Sequence, residues 1–175
     1  AELLRAADVA MYEAKKGRNT LRLFRTDLEE QYLYRVRIEQ HLRGAETRGE
    51  IFLVYQPQAD QHGRMYGVEA LVRWQSPVLG SVPPDAFIPI AEHSGLITTL
   101  GYHIIDRALA DIAGLQQQTG QTFSLSINVS ARQLMENGFI DQLLERIDSS
   151  LLGFEQICIE VTENLLIEDI EQIHH

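Results

Sequence analysis

The 175-residue chain reads as an α/β protein whose sheet opens with an antiparallel pair of strands and continues in parallel βα units. Only 13 positions separate Gln56, in "IFLVYQPQ", from Glu69, in "GVEALVRW". A parallel crossover needs a dozen or more residues of connection beyond the strands, so these two strands pair antiparallel. Asn128, in "FSLSINVS", and Glu160, in "QICIEVTE", lie 32 positions apart with a helical pattern between them, which is one βα repeat. Composition agrees: 45% apolar and 23% charged residues describe a globular chain.

Taken in order, Leu3, Leu4, Ala7, Ala10, Met11 and Ala14 recur near 3.6-residue spacing and predict a first helix that ends around Gly17, followed by a short strand, "TLRLF". Thr26 or Asp27 can cap a second helix with its apolar stripe through Leu28, Tyr32, Val36, Ile38 and Leu42. Its charged opposite side suits either a connector between two globular bodies or an ordinary surface helix. After the "ADQHGRMY" turn and the second strand, Pro77, Gly80, Pro83 and Pro84 mark "QSPVLGSVPPDAF" as a loop. Helices are predicted over about 86–93 and 98–118, a helix or helix pair from 131 to 151, and one more helix in "NLLIEDIEQIHH". Pro57 lacks an N–H, which suits an edge strand or a strand terminus.

Strand side chains alternate between faces. Val68, Ala70, Val72 and Trp74 form a packing face, leaving Glu69, Leu71 and Arg73 opposite. The same rule places Asn128 with Ser124, Ser126 and Ser130, and Glu160 with Cys158 and Thr162. Each later strand thus presents one oxygen ligand close to its C-terminal end, where parallel βα barrels build their sites. Two carboxylates and an amide crowded together repel and desolvate one another unless a hard divalent cation, Mg²⁺ or Mn²⁺, joins them. Arg73 could then clamp an anionic oxygen such as a phosphate. The competing reading is that Glu69 and Arg73 pair with each other or with backbone, while Asn128 and Glu160 sit at solvated strand ends.

The formal charge of −10 disfavours a general DNA or RNA binder, and Lys15, Lys16 and Arg18 form the only compact basic cluster. A single cysteine, Cys158, excludes an internal disulfide framework or a Cys-cluster zinc site and fits a reducing compartment. With no base beside it in sequence, Cys158 is not read as a nucleophile. The six histidines show no HExxH pairing and read as surface or core residues; His174-His175 is either native or the stump of a tag. No signal-peptide pattern and no run of about 18 apolar residues is present, so a cytoplasmic location is expected, with any membrane anchor lying in a longer parent.

The ordered motifs "YQPQ", "GVEALVRW", "FIPIAEHSGLI", "INVSARQL" and "IEVTEN" strongly resemble the EAL family of cyclic di-GMP phosphodiesterases. "ADVAMYEAKKGRNTLRLF" resembles the closing helix and strand of a GGDEF, diguanylate cyclase-like, domain, although the GGDEF signature itself is absent. The expected organisation is a GGDEF end over 1–24, a helical linker over 25–35, and an EAL domain over 36–175. The resemblance implies a modified TIM-like (β/α) barrel with an antiparallel first strand, of which about the first half is here. It implies metal ligation by Glu69, Asn128 and Glu160, substrate contacts from Gln56, Leu71 and Arg73, and support of a mobile loop by Glu163. It also implies hydrolysis of cyclic di-GMP to linear pGpG, an adjacent GGDEF domain and a homodimer through the EAL domain. The alternative is an inactive EAL module that acts as a cyclic di-GMP receptor or regulatory domain. The family's "DDFGTG"-type aspartates and lysine do not occur before His175, so the 175 residues alone are expected to be inactive and to belong to a longer chain.

Overall fold

The computed structural model describes Met11 and residues 26–161. The helix and strand predicted within residues 1–24, the helix predicted after Thr162, and Glu163 lie outside the described residues. The chain divides into two compact units between Arg43 and Gly44. In the first, helix α1 (Thr26–Leu42) has the predicted stripe as its more covered side: Ile38 and Leu42 are buried, while Leu33 and Tyr34 are exposed.

The second unit is built on a mixed five-stranded sheet: β1 (Ile51–Ala59), β2 (Met65–Ser76), β3 (Gly80–Val82), β4 (Ser124–Val129) and β5 (Ile157–Val161). The main order is β1-β2-β4-β5. β1 pairs antiparallel with β2, while β4 pairs parallel with both β2 and β5. The expected antiparallel start and parallel continuation are therefore both present. Pro57 lies on β1, an edge strand among the described residues, so its missing N–H interrupts no second ladder. Asp60 shapes the β1–β2 turn: its carboxylate accepts from the backbone N–H groups of His62 (2.8 Å) and Arg64 (3.0 Å), and Gly63 takes a left-handed φ of 76°.

The predicted loop after β2 holds a strand that sequence reading did not find. Trp74, Gln75 and Ser76 pair antiparallel with Val82, Ser81 and Gly80, and the Ser76 hydroxyl accepts from the N–H groups of Val78 (3.3 Å) and Leu79 (3.2 Å). Helices α2 (Pro84–Ser94) and α3 (Ile97–Thr119) then connect β2 to β4. The predicted helix pair is α4 (Ala131–Leu134) and α5 (Phe139–Asp148), followed by a 3₁₀ turn at Phe154–Gln156 and β5. Among the described residues, no helix is long and apolar enough to cross a membrane.

Burial follows the alternation rule. Val68, Ala70 and Trp74 of β2 and Leu125, Ile127 and Val129 of β4 are buried beneath helices whose apolar positions include Phe87, Ile105, Ile112 and Phe139. Trp74 meets Phe87 edge to face at 5.6 Å, and its indole N–H donates to Glu50 (3.0 Å), so the one polar atom of this ring is satisfied. Tyr55, on the same side of β1, donates its hydroxyl to Asp111 of α3 (2.9 Å). Gly67 faces the other side, directly between Gln58 of β1 and Ser124 of β4. A Cβ on Gly67 would lie 2.8 Å from the Ser124 carbonyl oxygen, closer than such atoms approach, and 3.2 Å from the Gln58 side chain.

Burial, then the hydrogen bond to the Asp111 carboxylate, pushes the Tyr55 phenol above its ordinary value of 10.0. The folded chain keeps a proton there that the unfolded chain releases, so this contribution is complete below about pH 10 and declines as pH rises further. The urea midpoint is expected to fall as pH rises above about 10, with a shallower fall in Tyr55→Phe; parallel curves for the two proteins would refute the assignment. Gly67→Ala is expected to destabilise by about 1–3 kcal/mol, because the Ser124 backbone must shift. An unchanged urea midpoint would show that the sheet absorbs the methyl group.

Candidate functional site

The polar face of the sheet carries Gln56, Glu69, Asn128 and Glu160 in a diagonal row, with Asn128 and Glu160 two residues along the ladder from the line of Gln56 and Glu69. Gln56 is the direct register partner of Glu69, Glu69 is opposite Ser126, and Asn128 is opposite Glu160. Neighbouring strands stand about 4.8 Å apart, so side chains on the same face of adjacent strands meet. The Asn128 side-chain amide donates to Glu69 Oε1 at 2.8 Å, across 59 positions of sequence. Glu69 and Glu160 are half-buried and Asn128 is exposed.

Asn128 and Glu160 lie one residue from the C-terminal ends of β4 and β5, as alternation and spacing predicted. Glu69 does not sit at the end of its strand. β2 runs on to Ser76 because its last residues pair with β3, whereas the parallel ladder to β4 stops at Ala70. Glu69 is therefore at the end of the parallel ladder and in the middle of the strand.

Arg73 forms no ion pair with Glu69; its guanidinium donates instead to the Val72 carbonyl (2.8 Å). Together with Leu71 and Asn128 it lines a cavity of about 360 Å³ at the α2 and α3 side of the row, within the size range of small-molecule sites. Asp85 and Glu92 of α2 also reach this cavity, beside the apolar Ile88 and Ile104. A larger cavity of about 750 Å³ between α3 and α5 contains none of the predicted residues. The smaller one is the candidate site because it adjoins the polar row.

Several polar neighbours went unnoticed in sequence. Gln58 shares the face of Gln56, and its amide reaches over Gly67 to Ser126 Oγ (3.3 Å). Alternation from Gln56 would have found it. Ser130 and Gln133 form a reciprocal capping box at the start of α4, and the Ser-x-x-Gln spacing was readable as one. Both line the cavity.

Comparison with known proteins gives a consistent set of relatives. The chain is 34% identical over 170 residues to cyclic di-GMP phosphodiesterase PdeR of Escherichia coli strain K12, covering 97% of this chain and 26% of PdeR. It is 32% identical over 172 residues to the bifunctional diguanylate cyclase/cyclic di-GMP phosphodiesterase MucR of Pseudomonas aeruginosa, covering 97% of this chain and 25% of MucR. The chain thus spans about a quarter of these curated relatives. Among solved structures, the PaMucR phosphodiesterase in complex with c-di-GMP matches with a TM-score of 0.70 at 31% identity, over 78% of this chain and 56% of that one. The cGMP-bound EAL enzyme Bd1971 matches with a TM-score of 0.71 at 31% identity, over 80% and 40%. The EAL domain profile covers residues 39–175, which hold the whole sheet, the cavity and every predicted site residue, and the chain belongs to the EAL domain family.

Proposed function

We propose that this chain is part of a divalent-metal-dependent phosphodiesterase that hydrolyses cyclic di-GMP to linear pGpG. The observation that carries the reading is the row itself: Glu69, Asn128 and Glu160 share one face of three adjacent strands, beside a cavity walled by Leu71 and Arg73. The names of PdeR and MucR support the same activity.

Two carboxylates and an amide oxygen are the donor types that Mg²⁺ or Mn²⁺ prefers. Among the described residues no three His, Cys, Asp or Glu side chains gather to hold a metal ion; in this reading the Asn128 amide oxygen joins Glu69 and Glu160 as the third donor. Ligation asks Asn128 to turn its amide so that the oxygen replaces Nδ2 next to Glu69, a rotation about one terminal bond. A cation held by Glu69, Asn128 and Glu160 would supply Lewis-acid polarisation of the scissile phosphodiester for attack by water. Arg73, with no carboxylate partner among the described residues, neutralises phosphate charge; Leu71 offers apolar contact and Gln56 a hydrogen bond to the substrate. Glu163 supports a mobile loop near the metal site and does not itself bind metal.

In the same reading residues 1–24 close a GGDEF domain, 25–35 link it to the EAL domain, and 36–175 form about the first half of a modified TIM-like barrel in a cytoplasmic, longer protein. The bifunctional name of MucR supports the pairing of the two activities in one protein.

In the complete protein with Mg²⁺ or Mn²⁺, cyclic di-GMP is expected to give pGpG on chromatography. Glu69→Ala is expected to lower kcat/KM by more than about a hundredfold, since even supporting residues of metal sites cost 10–100-fold, with the circular dichroism spectrum retained. Nucleotide binding with no pGpG under either metal would replace this reading with a receptor.

A further inference from the structure

We infer that Gln133 is a base-reading residue that selects guanine, an inference that rests on the cyclic di-GMP reading above. Gln133 is 3% exposed, in the first turn beyond Asn128. Its Oε1 accepts from the Ser130 N–H (3.0 Å), and the Ser130 hydroxyl accepts from the Gln133 N–H (3.4 Å). That reciprocal cap fixes the amide orientation, because only the oxygen end can accept from an N–H. The NH₂ end must point away from the cap.

No described residue hydrogen-bonds this NH₂ group. It rests on Gly101 of α3, where a Cβ would overlap Nε2, and Gly101 and Gln133 together wall the cavity that holds Leu71, Arg73 and Asn128. The donor is open to the cavity rather than sealed from solvent, so an acceptor on a ligand there can take the place of water at this group. The chemistry of the ligand follows from the group. Nε2 can only donate, and its surroundings include the apolar Leu71 and Ile104, which suit a flat heteroaromatic ring. Guanine presents two acceptors, O6 and N7, on one edge, whereas adenine places an amine donor at the corresponding position. A donor that meets the six-position donates to guanine O6 and is opposed by the adenine amine, whereas N7 would accept it in either base, so the selection requires Nε2 to reach O6.

Gln133→Glu separates this role from the structural one, since Ser-x-x-Glu retains the capping box while the donor becomes an acceptor. Binding of cyclic di-GMP and cyclic di-AMP would be measured by rapid mixing, before the first turnover, on the complete protein with Mg²⁺ and with Glu69 intact. The parent is expected to prefer the guanine nucleotide. In Gln133→Glu the added charge weakens both nucleotides alike, so the guanine preference, the ratio of the two affinities, isolates the lost donor and is expected to fall at least about tenfold. Gly101→Ala, whose methyl group displaces Nε2, is expected to lower the same ratio. A parent that prefers guanine and variants that keep its full preference overturn the role of Gln133 while leaving the cyclic di-GMP reading intact. A parent that binds neither nucleotide overturns both.

Discussion

The parallel ladder that joins Gly67–Ala70 to Ser124–Ile127 decides where the polar row falls. Side-chain direction has a period of two along a strand, so a slip of one residue would send Glu69 into the helix-covered core and turn Val68 toward the cavity. Two local features oppose that slip. Val68, Ala70, Leu125 and Ile127 are all buried on one side, so the hydrophobic effect holds the register from below. On the polar side Gly67 lets the Ser124 backbone come close, and any other residue at that place in the ladder would meet the same carbonyl. The contact between Asn128 and Glu69 is a consequence of this register.

The opposite end of the sheet is tied by side-chain amides. Gln116, near the end of α3, accepts through its side chain from the Phe123 N–H (2.9 Å) and from the Gln156 amide (2.7 Å), and Gln156 also donates to the Phe123 carbonyl (3.0 Å). These bonds fasten the beginnings of β4 and β5 to one helix. With the strand starts fixed, the positions of Asn128 and Glu160 follow from strand length, and the loops beyond them are free to differ in sequence. Such a division, anchored at one end and chemical at the other, is how a βα scaffold holds reacting groups still.

Much of this was legible from spacing. The short connection between Gln56 and Glu69 forced an antiparallel pair, the longer interval from Asn128 to Glu160 gave a parallel one, and alternation sorted Glu69, Asn128 and Glu160 onto one face. β3 was not legible, because three residues are too few for a period and they sit among Pro77, Gly80, Pro83 and Pro84. Glu69's place in mid-strand depends on that same hidden strand. Gly101 and Gln133 meet only through the packing of α3 against α4, so a helical glycine carries no local sign of its purpose. The capping box was readable, but its free amide end shows only once the cavity beside it is known.

Electrostatics gives the metal proposal a reason independent of family likeness. Among the described residues, Arg73 is the only Lys or Arg side chain that lines the cavity, against the carboxylates of Asp85 and Glu92, with Glu69 and Glu160 in the adjoining row. A nucleotide with two phosphodiesters would enter a region where acids outnumber bases, on a chain whose formal charge is already −10. Like charges a few ångströms apart in a partly desolvated site repel strongly, and one guanidinium offsets one phosphate at most. A divalent cation shared by Glu69, Asn128 and Glu160, as proposed, would change that balance by two charges beside the cavity. On that proposal the cation would ease the approach of an anionic nucleotide to an acidic row, so the two would favour each other's binding.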